Sequence, residues 1–115
     1  PCSIVNNSSI LSHAAYPGLT VYSATKHAVS GLTKGAALEL AESNIRVNAV
    51  GPGPIRTPML EVPTDGHPEQ FGGMVPMKRI GEPKEISDAV QWLLSTESSY
   101  VTGHTLMIDG GFCSQ

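Results

Sequence analysis

The chain has 115 residues, of which 40% are hydrophobic and 15% charged, with a net charge of −3. That composition suits one globular domain with a modest core and argues against disorder. With no basic block, nucleic acid and anionic membrane surfaces are poor partners, and no apolar run approaches the ~18 residues of a membrane span.

Cys2 and Cys113 sit at opposite ends without metal-type spacing, and no secretory signal pattern is present. A reduced, cytoplasmic protein is therefore expected. His13, His27, His67 and His104 have no ligand spacing among themselves, so no metal site is expected. The chain opens at Pro1 directly in front of a strand pattern, as a piece of a longer protein would.

Residues 3 to 8 read as a short strand around Ile4 and Val5. Asn6, Asn7, Ser8 and Ser9 follow at its C-terminal end, where open α/β sheets gather their chemistry. Turn formers and caps are the plainer reading of such a cluster. Residues 10 to 19 read as a loop turning at Pro17-Gly18.

A helix is predicted from about Val21 to Glu42, with Ala24, Ala28, Val29, Leu32, Ala36 and Leu40 at helical spacing. Gly31 and Gly35 each cost about 1 kcal/mol in a helix, which suggests close packing against another element. Near its start stands Tyr22-Ser23-Ala24-Thr25-Lys26. Residues four apart share a helical face, so the phenol and the ammonium nearly touch. A lysine charge beside a tyrosine favours the phenolate and suits the phenol to proton transfer near neutral pH. Alone this spacing is a weak signal, and a surface lysine with a core tyrosine is the plain alternative. His27 reads as a surface residue.

Residues 45 to 50 alternate as a second strand, which makes a β-α-β unit. The strand runs into Gly51-Pro52-Gly53-Pro54-Ile55-Arg56-Thr57-Pro58, read equally as a sharp structural turn or as a stiff loop whose glycines admit a ligand. Residues 59 to 80 lack regular periodicity but carry Met59, Leu60, Phe71, Met74, Val75 and Met77. A lid over something apolar is expected there, with a helix-containing surface excursion as the alternative. Arg56, Lys78 and Arg79 could meet an acidic substrate, with a solvated face as the plainer reading.

Residues 83 to 95 form the clearest helix, from Ile86, Ala89, Val90, Leu93 and Leu94. Pro83 suits its first position and Glu85 its first turn. Trp92 is expected to be partly buried. His104 to Ile108 read as a third strand, closed by Asp109-Gly110-Gly111. The sum, β-α-β-loop-α-β, is half of a doubly wound parallel sheet.

Taken together, these pieces resemble the C-terminal half of a short-chain dehydrogenase/reductase over nearly the whole chain. Tyr22 and Lys26 match the family's Tyr-x-x-x-Lys. Asn6-Asn7-Ser8-Ser9 resembles its serine motif, with Ser9, thirteen residues before Tyr22, in the catalytic position. Asn48 and Pro52-Gly53-x-Ile55-x-Thr57 resemble its Pro-Gly motif, and Tyr100-Val-Thr-Gly103 with Asp109-Gly110-Gly111 its C-terminal signature.

The resemblance implies a single partial Rossmann-type α/β domain over residues 1–115, with 58–80 as substrate loop. It implies NAD or NADP as cofactor and an alcohol or ketone as substrate. Tyr22 would exchange the proton with the substrate oxygen, Lys26 would hold the nicotinamide ribose, and Ser9 would hydrogen-bond the substrate oxygen. Pro52, Gly53, Ile55 and Thr57 would seat the nicotinamide carboxamide. A homo-oligomer is also implied.

Neither Gly-x-Gly-x-x-Gly nor Gly-x-x-x-Gly-x-Gly occurs here. The phosphate-binding loop and the first four strands of such a sheet are therefore expected outside this chain, with an unpaired edge left beside the first strand. Two alternatives follow. One is a non-catalytic truncated module that binds another chain. The other is an enoyl reductase of the same superfamily, which the spacing disfavours, because those enzymes resemble Tyr-x-x-x-x-x-x-Lys.

Overall fold

A computed structural model describes residues 1–115. Three strands, β1 (Cys2–Asn7), β2 (Ile45–Pro52) and β3 (Thr105–Ile108), form one sheet in the order β1-β2-β3. Both pairings are parallel, with Cys2 opposite Ile45 and Ala49 opposite Thr105. The connections carry α1 (Thr20–Leu40), the short α2 (Pro58–Glu61) and α3 (Pro83–Leu94). This is the expected α/β arrangement.

The helices cover opposite faces of the sheet. Ser3 and Asn6 lie three residues apart on β1, so their side chains point to opposite sides. Ser3 Oγ donates to the Leu93 carbonyl in α3, and Asn6 Nδ2 donates to Thr33 Oγ1 in α1. Central β2 supplies the innermost residues: Val47, Asn48, Ala49 and Val50 are nearly inaccessible. Leu93 is the fully buried anchor of α3. The helix begins with Pro83 in its first turn, and Glu85 Oε2 accepts from the Glu82 N–H at 2.8 Å. Trp92 remains 39% exposed.

The packing of α1 differs from the expectation. Its buried face consists of Ser23, Ser30, Thr33 and Ala37. Leu32 and Leu38, at 65% and 82% exposure, point away. Small side chains let the helix lie close to β2, so the apolar stripe is the outer face and not the core. Gly31 and Gly35 also face open space, with nothing within 4 Å of where a Cβ would stand. Their positions are therefore not explained by close packing.

Asn48 ties β2 to the approach of β3. Its Nδ2 donates to the Val101 carbonyl at 2.9 Å, and its Oδ1 accepts from the His104 N–H at 3.0 Å. Thr102 Oγ1 accepts from the Val47 N–H, and Gly103 N–H donates to the Val47 carbonyl. The Tyr100-Val-Thr-Gly103 stretch thus docks β3 in register. After β3, the Asp109 carboxylate accepts from the Gly111 and Cys113 N–H groups. Gly110 and Gly111 there adopt φ values of 60° and 90°, which favour glycine.

The sheet has two edges, and the outer side of β1 carries no partner strand. No helix is long and apolar enough to cross a membrane.

Candidate active site

Parallel pairing puts the C-terminal ends of all three strands on one side, together with the start of α1. There an open cleft of about 960 Å³ collects Ser9, Tyr22, Lys26, Pro52, Gly53, Ile55 and Thr57 in its walls. Every residue named from the sequence as a candidate site residue therefore lines one cavity. The folding unit that does this is β-α-β: β1 delivers Ser9, α1 delivers Tyr22 and Lys26, and β2 delivers the loop 51–57.

Tyr22 and Lys26 are half-buried on the same face of α1, with Lys26 Nζ 5.5 Å from the centroid of the Tyr22 ring. That distance lies within cation–π range. Lys26 Nζ also donates to the Asn7 carbonyl at 3.2 Å, which ties the ammonium to the end of β1. The Tyr22 hydroxyl makes no hydrogen bond within the chain. Ser8 and Ser9 both line the cleft, but Ser8 Oγ donates to the Lys26 carbonyl at 3.4 Å and so braces α1.

Ser9 is buried, and its Oγ accepts from the Leu11 N–H at 3.2 Å. Because that bond uses a lone pair, the hydroxyl proton of Ser9 stays available as a donor. The Ser9 carbonyl accepts from Ser12 Oγ at 2.8 Å, and Ser12 Oγ lies 2.9 Å from His13 Nδ1. Ser12 had no motif to single it out, and Asn7, though inside the serine motif, was given no role of its own there; both act through contacts at the end of β1 and the turn after it.

The loop after β2 is held by its neighbours. Arg56 N–H donates to the Gly81 carbonyl, and Gly81 N–H donates to the Pro54 carbonyl. This leaves the N–H groups of Ile55 and Thr57 without a partner in the chain, beside the cleft. The two glycines let the loop pack closely against its neighbours. A Cβ on Gly53 would lie 2.9 Å from Asp109 Cα, and one on Gly51 would lie 3.3 Å from the Ser9 carbonyl oxygen and meet the end of the Met107 side chain.

Residues 58–80 contain α2 and a 3₁₀ segment over Pro68–Met74, so the excursion is partly helical. It contributes Met59, Leu60, Phe71 and Met74 to the cleft. Arg56 is ion-paired with Glu69 and Glu82, and Arg79 makes two bonds to Glu85. Hydrogen bonds from Arg79 and from the Glu82 N–H hold the Glu85 carboxyl down at about 2. Burial, then the hydrogen bond and charge of Asp109, push the Cys113 thiol up to about 11.

A family model described as Enoyl-(Acyl carrier protein) reductase matches residues 1–113. The short-chain dehydrogenase anuF of Penicillium roqueforti is 49% identical over 111 residues. The chain belongs to the short-chain dehydrogenase/reductase family. The 3-oxoacyl-[acyl-carrier-protein] reductase FabG of Thermotoga maritima is also 49% identical, over 109 residues.

Among solved structures, Thermoplasma acidophilum aldohexose dehydrogenase superposes with a TM-score of 0.91 at 39% identity, over 98% of this chain and 48% of that one. ElxO with NADP bound superposes with a TM-score of 0.91 at 40% identity, over 98% and 47%. The match to anuF covers 94% of this chain but 40% of the relative, and that to FabG 95% and 44%. The chain thus spans about two fifths of the length of the curated relatives it matches.

Proposed function

We propose that the protein carrying this chain is an NAD(P)-dependent oxidoreductase that interconverts a ketone and a secondary alcohol. The observation that carries this reading is the convergence of Ser9, Tyr22 and Lys26 with the Ile55 and Thr57 backbone in one cleft. Family membership and the NADP bound in ElxO support the cofactor class.

The residues present fit a nicotinamide. Ile55 and Thr57 offer unpaired N–H donors suited to its carboxamide, and Lys26 Nζ keeps donors beyond the one given to Asn7, suited to ribose hydroxyls. When bound in its reduced form, the nicotinamide supplies the hydride to the carbonyl carbon and is itself oxidised.

The chain's own groups manage the oxygen. Tyr22 gives its phenolic proton to the carbonyl oxygen as charge develops there, and takes it back in the alcohol direction. Lys26 places a positive charge beside the Tyr22 ring throughout. Ser9 donates its free hydroxyl proton to the same oxygen, while Leu11 N–H fixes the direction of that hydroxyl. The four-residue Tyr–Lys spacing favours carbonyl over enoyl reduction.

A second reading, a module that binds another chain or a second copy of itself, is favoured by the unpaired outer side of β1. That strand has no charged residue to discourage pairing.

Titrating the protein with NADH and NADPH, followed by nucleotide fluorescence and then a ketone panel, separates the readings. Saturable binding with ketone-dependent nucleotide oxidation supports the oxidoreductase. A folded protein that binds neither nucleotide contradicts it and favours the binding module.

A further inference from the structure

We infer that the substrate side of the cleft selects a neutral, apolar ketone or secondary alcohol and rejects anionic and polyhydroxylated ones. This rests on the oxidoreductase reading and narrows it to a substrate class.

The wall chemistry carries the inference. Of the chain's seven lysines and arginines and ten aspartates and glutamates, Lys26 alone lines the cleft. Of its five phenylalanines and tyrosines, four do: Tyr16, Tyr22, Phe71 and Phe112. These arrive from the loop before α1, α1 itself, the Pro68–Met74 segment and the turn after β3. Leu11 and Leu60 complete an apolar wall around the reacting groups.

The cations that could have met an anion are engaged elsewhere. Arg56 is held by Glu69 and Glu82, Arg79 by Glu85, and Lys78 by the Gly73 carbonyl. An anion entering the cleft would lose its water and find only Lys26, which the proposed mechanism uses for the ribose. A polyol would fare no better, since each buried hydroxyl needs a partner. Thr57 Oγ1, Ser8 Oγ and Ser87 Oγ already donate to the carbonyls of Ile55, Lys26 and Lys84, so beyond the reacting groups only the Asn7 and Gln91 amides and the Tyr16 hydroxyl remain to meet a chain of hydroxyls.

The test compares three probes on the native protein: trans-1-decalone, 5-oxohexanoate and D-fructose. Binding is measured by saturation-transfer NMR and titration calorimetry in the presence of oxidised nucleotide, and turnover with reduced nucleotide is measured separately. Decalone should bind at least about tenfold more tightly than either competitor, the range that apolar complementarity supplies. Phe71→Ala and Phe112→Ala should each weaken decalone about tenfold. Leu60→Lys should shift the preference toward 5-oxohexanoate, and circular dichroism checks that each variant is folded.

Equal or tighter binding of 5-oxohexanoate or fructose overturns the substrate class while leaving the oxidoreductase reading in place. Binding of none of the three by folded protein overturns it too. Decalone that binds in the cleft but is never reduced defeats the oxidoreductase reading and leaves the apolar selectivity standing.

Discussion

The ammonium of Lys26 lies 5.5 Å from the centre of the Tyr22 ring and donates to the Asn7 carbonyl at 3.2 Å. One side chain therefore joins the end of β1 to the phenol on α1. Lys26→Met should keep the fold but lower kcat/KM by about 10²-fold or more and raise KM for the nucleotide. Steady-state kinetics with the nucleotide varied checks this. Unchanged KM for nucleotide would remove Lys26 from the cofactor site.

Asn48 is fully buried and satisfies both Val101 and His104. Asn48→Ala strands that carbonyl and that N–H away from water. The expected cost is about 2–4 kcal/mol of stability, read from denaturant unfolding. Asn48→Asp keeps the acceptor for His104 but loses the donor to Val101 and buries a charge, so it should also destabilise.

Glycines divide by surroundings. Gly31→Ala and Gly35→Ala, in exposed helix with open space, should each stabilise by about 0.5–1 kcal/mol. Gly53→Ala forces a Cβ against the Asp109 backbone and should cost about 1–3 kcal/mol. Thermal melts of the three variants test the ranking.

Glu85 gives the molecule an acid-side pH dependence. Its carboxyl is held at about 2 in the fold, below an ordinary value of 4.5. A lowered folded value stabilises fully above the unfolded value and fades as pH falls from about 4.5 toward about 2. Both partners are solvent-exposed, so the effect is expected to be small and salt-sensitive. Native and Glu85→Gln proteins should differ in denaturation midpoint at pH 6 and converge near pH 2.

Much of this was legible in the sequence because local rules agreed with the fold. The β-branched Ile4 and Val5 marked β1, alternation over residues 45 to 50 marked β2, and Ile86, Ala89, Val90, Leu93 and Leu94 marked α3, whose Leu93 is the buried anchor. The orientation of α1 was not legible. Periodicity reports an apolar face without saying what covers it, and here the sheet took the small polar face of Ser23, Ser30, Thr33 and Ala37. The Tyr22–Lys26 pair was visible because one helix sets its spacing. The gathering of Phe112, Tyr16 and Phe71 around one cleft was not, since it depends on β3 lying beside β2 and on the path of a long loop.

The most direct test is the rate of hydride transfer by Tyr22→Phe beside the native protein, with nucleotide binding measured in parallel. The expected result is retained nucleotide binding and a rate lowered by about 10²–10⁴-fold, the worth of a positioned proton donor. A Tyr22→Phe protein that binds nucleotide and reduces ketone at the native rate would contradict the proton-transfer role on which the proposed function rests.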